Sequence, residues 1–152
     1  MKTWNGLFSN VYGEYSAHKH NLIPMFIKSA IEGSTAQIYG DGAQERDFIY
    51  VGDLVDGISR VLTYDVSGVI QLATGKNTSA NTIAELVTQE LSGKYEFNWE
   101  YRPARSGEIY KTWCDNSKSI RLLGNYPKTT LSEGLRKTIR WYIDQHQKDD
   151  GN

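Results

Sequence analysis

Two arginines stand in loop-like segments among the residue types that grip anions. Arg46 lies in Tyr39-Gly40-Asp41-Gly42-Ala43-Gln44-Glu45-Arg46-Asp47-Phe48-Ile49-Tyr50-Val51, where two glycines lead into alternating aromatic residues. Arg105 lies in Arg102-Pro103-Ala104-Arg105-Ser106-Gly107-Glu108. Both lie in loops outside any helical segment, and a guanidinium presents paired donors that match a diphosphate. The same residues also fit two surface ion pairs with Glu45 and Glu108, and at this level both readings stand.

Other constellations are weaker. His18 and His20 share a polar segment that reads as a solvated loop, and His146 stands apart. Tyr15-Ser16-Ala17-His18-Lys19 has a Tyr-x-x-x-Lys spacing, which in a helix sets an ammonium beside a phenol and lowers its pKa. This segment has no core-facing stripe and precedes the first credible helix, so the spacing is accidental. Gly40-Asp41-Gly42 lacks the third glycine of a dinucleotide fingerprint, Glu45 standing in its place, and a strand follows instead of a helix. No metal-ligand cluster, G-x-S-x-G turn or GxxxxGK loop occurs.

The elements that must position the arginines follow from hydrophobic spacing. Leu22, Ile23, Phe26, Ile27, Ala30 and Ile31 share one helical face after Asn21, with Pro24 in the first turn and Gly33 as the stop. A second helix is expected to begin with Asp53 as its cap and to bury Leu54, Ile58, Val61 and Leu62. Capping boxes Thr82/Glu85 and Thr130/Glu133 open two more, and a short helix between Asn116 and Leu123 ends at Gly124. Ala36 to Tyr39 and Asp47 to Val51 read as strands around a hairpin or tight loop, Val69 to Ala73 as a buried strand, and Phe97 to Tyr101 as an alternating one. The fold class is mixed α/β, an α+β arrangement of about five helices with short strands in one domain over residues 1–147. Residues 148–152 form a frayed tail.

Composition bounds the function. With 152 residues the chain suffices for one core without disulfides or a structural metal, and its lone Cys114 could not supply a framework. Seventeen Lys+Arg against 18 Asp+Glu leave a charge of -1, which argues against a nucleic-acid partner. Apolar runs are too short for a membrane span, and Met1 to Asn10 lacks the pattern of a signal peptide, so a cytoplasmic location is expected.

Several segments, in order along nearly the whole chain, carry a resemblance. Asn10-Val11-Tyr12-Gly13 is similar to "FNVYG", Asn21-Leu22-Ile23-Pro24 to "NLIP", and Tyr39 to Val51 to "YGDGxQxRDFxYV", followed by Asp53-Leu54-Val55. Arg105-Ser106-Gly107-Glu108 is similar to "RPGD", and Asp115-Asn116-Ser117-Lys118 with Leu123-Gly124 to "DxSKxxxxLG". Together they resemble the C-terminal, substrate-binding part of the NAD-dependent sugar-nucleotide epimerases and dehydratases, the extended short-chain dehydrogenase family.

The resemblance implies a nucleotide-diphosphate sugar, UDP- or dTDP-linked, as partner. Asn10 would contact its diphosphate or sugar side, and the Asn21-Leu22 backbone would donate to phosphate at a helix start. Gln37 and Tyr39 would hold the base, Arg46 and Arg105 would clamp the diphosphate, Glu108 would accept from ribose hydroxyls, and Phe48 would stand beside the nucleotide. The family's NAD loop and its catalytic Ser/Thr and Tyr-x-x-x-Lys lie upstream of "NVYG", where only nine residues precede Asn10. Tyr15 and Lys19 follow that segment and do not correspond to the catalytic pair. Glu14 replaces a frequent proline and adds negative charge near the implied anion site. No cofactor is expected in this chain, NAD belonging to the complete enzyme, and the chain alone is expected not to catalyse. Rival readings are a degenerate interaction module without ligand and one half of a two-chain enzyme. The second requires an exposed apolar patch for the NAD-binding half, or else for a second copy.

Overall fold

Apolar and aromatic runs of this chain pair as strands across long sequence separations, and amphipathic helices cover them. The computed structural model describes residues 3–91 and 93–149. Their order is β1 (Trp4–Phe8), β2 (Asn10–Tyr12), α1 (Leu22–Ile31), β3 (Thr35–Tyr39), β4 (Glu45–Tyr50), α2 (Val51–Thr63), β5 (Gly68–Leu72), β6 (Asn77–Ser79), α3 (Ala80–Leu91), β7 (Asn98–Arg102), α4 (Ser117–Leu123) and α5 (Leu131–Asp149). β1 runs parallel to β5, β3 parallel to β7, and β4 lies between β2 (parallel) and β6 (antiparallel). Parallel partners need long crossovers, which the helices supply.

β3 and β4 are not a hairpin: β3 pairs with β7, and β4 with β2 and β6, so Gly40-Asp41-Gly42 is a tight loop between different sheets. Gly42 holds φ +74, and the Asn81 side chain occupies the place a Cβ would take. Asn81 in turn donates to the Asp41 carbonyl at 3.0 Å.

Helix starts differ from the capping pattern in physically clear ways. α2 begins two residues before Asp53, which sits in its first turn, and the Asp53 carboxylate accepts instead from the Thr129 N–H and hydroxyl. Leu62, expected in the buried stripe, is 66% exposed. Ser79, one turn before Thr82, caps α3 by accepting from the Thr82 N–H at 3.1 Å. Half of the second capping box forms: the Thr130 hydroxyl accepts from the Glu133 N–H, while the Glu133 carboxylate pairs with Lys137. α1 and α4 start and stop where the spacing places them, with Gly33 and Gly124 at φ +65 and +76. α5 continues through Asp149, past the expected start of the tail, and residues 150–152 lie outside the described ones.

Two buried clusters result. The larger joins α1, α3 and α5 to β3 and β4 through Phe26, Ile27, Ile38, Phe48, Ile83, Val87 and Leu135. Full burial of a side chain such as Phe26 contributes roughly 1.5–3 kcal/mol. The smaller cluster joins β5, α2 and α4 through Ile70, Leu72, Val61 and Leu123. β5, expected to be buried throughout, alternates: Ile70 and Leu72 are inside, but Val69 is 51% exposed, near Leu7 (53%) and Phe8 (50%) on β1. Leu7 and Val69 share the face of this pair turned away from the smaller core, whereas Phe8 stands on the other face with Trp4 and Leu72.

Candidate functional site

The β2–β4 pairing sets Asn10 opposite Phe48, and Asn10 Nδ2 donates to the Asp47 carbonyl at 3.1 Å. Beside them α1 begins. Its N-cap residue Asn21 has extended backbone and makes no side-chain cap bond, so its amide is free for the cleft and the first-turn N–H groups stay uncapped. β4 contributes Arg46 and Phe48, and the segment before Lys111 brings Glu108 over them. The result is a cavity of about 210 Å³ that gathers Asn10, Asn21, Leu22, Arg46, Phe48 and Glu108, with Gln44 and Ala80.

A second cavity of about 320 Å³ shares Gln44 and Glu108 with the first and adds Tyr39 and Arg105. The Arg105 guanidinium lies 3.7 Å above the Tyr39 ring, a cation–π stack. The Tyr39 hydroxyl donates to Gln37 Oε1 at 3.2 Å. Gln37 lines neither cavity and reaches the second only through that phenol. Gln44 escaped the sequence reading. It lines both cavities and donates to the Tyr39 carbonyl at 2.9 Å, and its signal in the sequence was the fixed Gln of the "YGDGxQxRDFxYV" pattern.

The ion-pair alternative for the arginines fails among the described residues. Arg46 donates to carbonyls, those of Glu45 (2.8 Å), Tyr110 (3.3 Å) and Ile109, whereas the Glu45 carboxylate pairs with Lys111 at 2.6 Å. With the Tyr110 carbonyl accepting from Glu45 N–H at 2.8 Å, these bonds tie the Arg105–Glu108 loop to β4. Glu14 lies on neither cavity wall: its carboxylate accepts from the Tyr50 hydroxyl at 2.8 and 2.9 Å. Burial, and then that hydrogen bond to Glu14, pushes the Tyr50 phenol up, so it stays protonated. Burial and then the nearby Asp47 charge push the Cys114 thiol up, away from the thiolate a nucleophile needs. Among the described residues no group of three or more His, Cys, Asp or Glu could hold a metal ion. The cavity walls therefore offer donors (Asn10, Arg46, Arg105, the α1 start), a carboxylate acceptor (Glu108) and ring or apolar faces (Tyr39, Phe48, Leu22), a set suited to holding a ligand that is anionic in one part and planar in another.

Fold and clefts thus define a mixed α/β domain with two adjoining pockets lined by arginines, a carboxylate and aromatic rings. The model of the GDP-mannose 4,6 dehydratase family matches residues 1–138, and the chain belongs to this sugar-nucleotide epimerase/dehydratase group of extended short-chain dehydrogenases. It is 34% identical over 147 residues to dTDP-glucose 4,6-dehydratase of Neisseria meningitidis serogroup B, covering 90% of this chain and 41% of that one. Among solved structures, UDP-glucose 4-epimerase from Thermotoga maritima with UDP-glucose aligns with a TM-score of 0.86 at 27% identity, over 94% of this chain and 46% of that one. MoeE5 in complex with UDP-glucose and NAD aligns at 0.84 and 27%, over 95% and 48%. The chain thus spans about two-fifths of the curated relative and under half of the solved chains.

No described helix is long and apolar enough to cross a membrane.

Proposed function

We propose that this chain is the nucleotide-diphosphate-sugar binding part of an NAD-dependent epimerase or dehydratase and does not turn substrate over alone. The observation that carries the reading is the convergence of Asn10, Asn21, Leu22, Arg46, Phe48 and Glu108, from four separate segments, on one cavity. The diphosphate lies against Arg46, Asn10 and the α1 start, where free N–H groups and the helix dipole favour negative charge. The base lies by Tyr39, whose ring face Arg105 covers. Binding therefore moves Arg105 from ring to ligand or stacks the base on its guanidinium, and Gln37 acts by orienting the Tyr39 hydroxyl. Glu108, at the seam of the two cavities, accepts from ribose hydroxyls.

The Gly40–Gly42 loop does not fit the dinucleotide of NAD: it opens into β4 instead of a helix, and the Asn81 side chain fills the space above Gly42. A second reading, a partner polypeptide that supplies the NAD-binding half, is favoured by exposed apolar side chains on both faces of the β1–β5 pair, Leu7 and Val69 on one and Phe8 on the other.

Calorimetry with UDP and dTDP tests the binding proposal. Saturable heat that is lost in Arg105→Ala supports it, and no heat at millimolar nucleotide overturns it. Absorbance of NADH, or epimerised product, from the chain mixed with NAD and UDP-glucose would sink the claim that it is inactive alone.

A further inference from the structure

Phe48 also borders a larger cavity of about 430 Å³ that the nucleotide reading does not use. Its walls are the loop of Thr74 and Lys76 that leads into Thr78 of β6, and the segment from Tyr126 to Thr130 with Lys128. Two buried carboxylates hold these loops. Asp47, 1% exposed, accepts from the N–H groups of Thr74 (3.1 Å) and Gly75 (2.7 Å). Asp53, 5% exposed, accepts from the Thr129 N–H (2.9 Å) and hydroxyl (3.1 Å). Asn116 Nδ2 adds a bond to the Ala73 carbonyl at 3.0 Å. Each carboxylate is thus engaged one or two residues from a lysine, fixing the backbone from which that lysine extends.

Those carboxylates are spent on backbone and hydroxyl donors and do not pair with the lysines directly. No Asp or Glu lines the cavity, and among the described residues neither Lys76 nor Lys128 forms an ion pair. Two ammonium groups on opposite walls of one cleft repel each other unless an anion lies between them. Phe48, Leu131 and the half-exposed Ile120 give the cavity an apolar surface that suits an organic body. A volume of about 430 Å³ lies within the range of small-molecule sites.

We propose that this cleft is a second binding site, for a small molecule that presents one oxyanion group, phosphoryl or carboxylate, to Lys76 and Lys128 and an apolar or ring portion to the floor. It is separate from the Arg46–Arg105 pockets and shares only Phe48 with the first of them.

The test is amide chemical-shift titration of the full chain with phenyl phosphate and, in parallel, benzoate. Saturable shifts confined to residues 74–78 and 126–131, retained in Arg105→Ala, are expected. Each of Lys76→Ala and Lys128→Ala should weaken binding by up to about fivefold, the upper end for an exposed ion pair, and added salt should weaken it further. Response to one probe alone assigns the oxyanion as phosphoryl or carboxylate. Both lysines are exposed, and Lys76→Gln and Lys128→Gln repeat the measurement should an alanine variant fail to fold. Shifts that do not saturate with either probe, that centre on residues 10, 21 and 46, or that persist unchanged in the double lysine variant overturn the proposal.

Discussion

Replacing Asp53 with alanine removes the side chain that holds α2 to the segment before α5. Asp53 is 5% exposed and accepts two hydrogen bonds from one residue, the Thr129 N–H at 2.9 Å and its hydroxyl at 3.1 Å. Leaving a partly buried N–H unpaired costs about 1–2 kcal/mol, and losing the hydroxyl bond about 1 kcal/mol. The carboxylate also faces the positive end of α2, worth about 0.5 kcal/mol. The expected loss is about 3 kcal/mol, a large share of the 5–15 kcal/mol typical of a domain. With a urea slope near 2 kcal/mol/M, the unfolding midpoint should fall by about 1.5 M. Asp53→Asn keeps one acceptor and should lose roughly half as much; Thr129→Val should lose about 1 kcal/mol. The double variant Asp53→Ala/Thr129→Val should then lose clearly less than the sum of the single losses, because the two side chains share one bond. Strict additivity, or a midpoint within about 0.3 M of the parent for Asp53→Ala, would refute the assignment.

Arg46→Ala removes the guanidinium that donates to the carbonyls of Glu45, Ile109 and Tyr110, so it should both release the Arg105–Glu108 loop and weaken UDP binding at least tenfold by calorimetry. Arg46→Lys, with no fork to bridge those carbonyls, should recover little of it. Gly134→Ala places a methyl where the Tyr12 hydroxyl packs against α5, and should cost about 1–3 kcal/mol in urea unfolding, more than a helix-propensity gain returns. Burial tends to raise the Glu90 carboxyl, but bonds from Ser132 and Arg136 outweigh it and hold it below the usual carboxylate value. A depressed carboxylate stabilises the fold above its unfolded pKa, and that stability is lost as pH falls through the folded one. Glu90→Gln should therefore flatten the acid limb of stability between about pH 5 and 3, and an unchanged limb contradicts the assignment.

How much was legible in the sequence depends on whether the signal is local. The α1 stripe with Pro24 and Gly33, the short α4 with Gly124, and the Thr130 cap were readable because helix formation joins residues three or four apart. β1, β2 and β6 were not: the last two have three residues each, and their partners lie far along the chain. Asp53 and Ser79 show the same limit at helix ends. An aspartate before an apolar stripe looks like a cap until a loop 76 residues away claims its carboxylate.

For the site, residue types alone set the chemistry: two loop arginines, a carboxylate and aromatic rings in an order that resembles one family. Spacing could not decide between an anion clamp and surface ion pairs, since pairing depends on where carboxylates and carbonyls lie in space. Tertiary structure removed the ion pairs by giving Glu45 to Lys111 and turning Arg46 onto the carbonyls of the 109–110 segment. It also stacked Arg105 on Tyr39, brought Gln44 to both pockets, and placed Lys76 and Lys128 across one cleft. Local sequence determines which groups a chain can offer, whereas long-range packing determines which of them remain unpaired and face a common space.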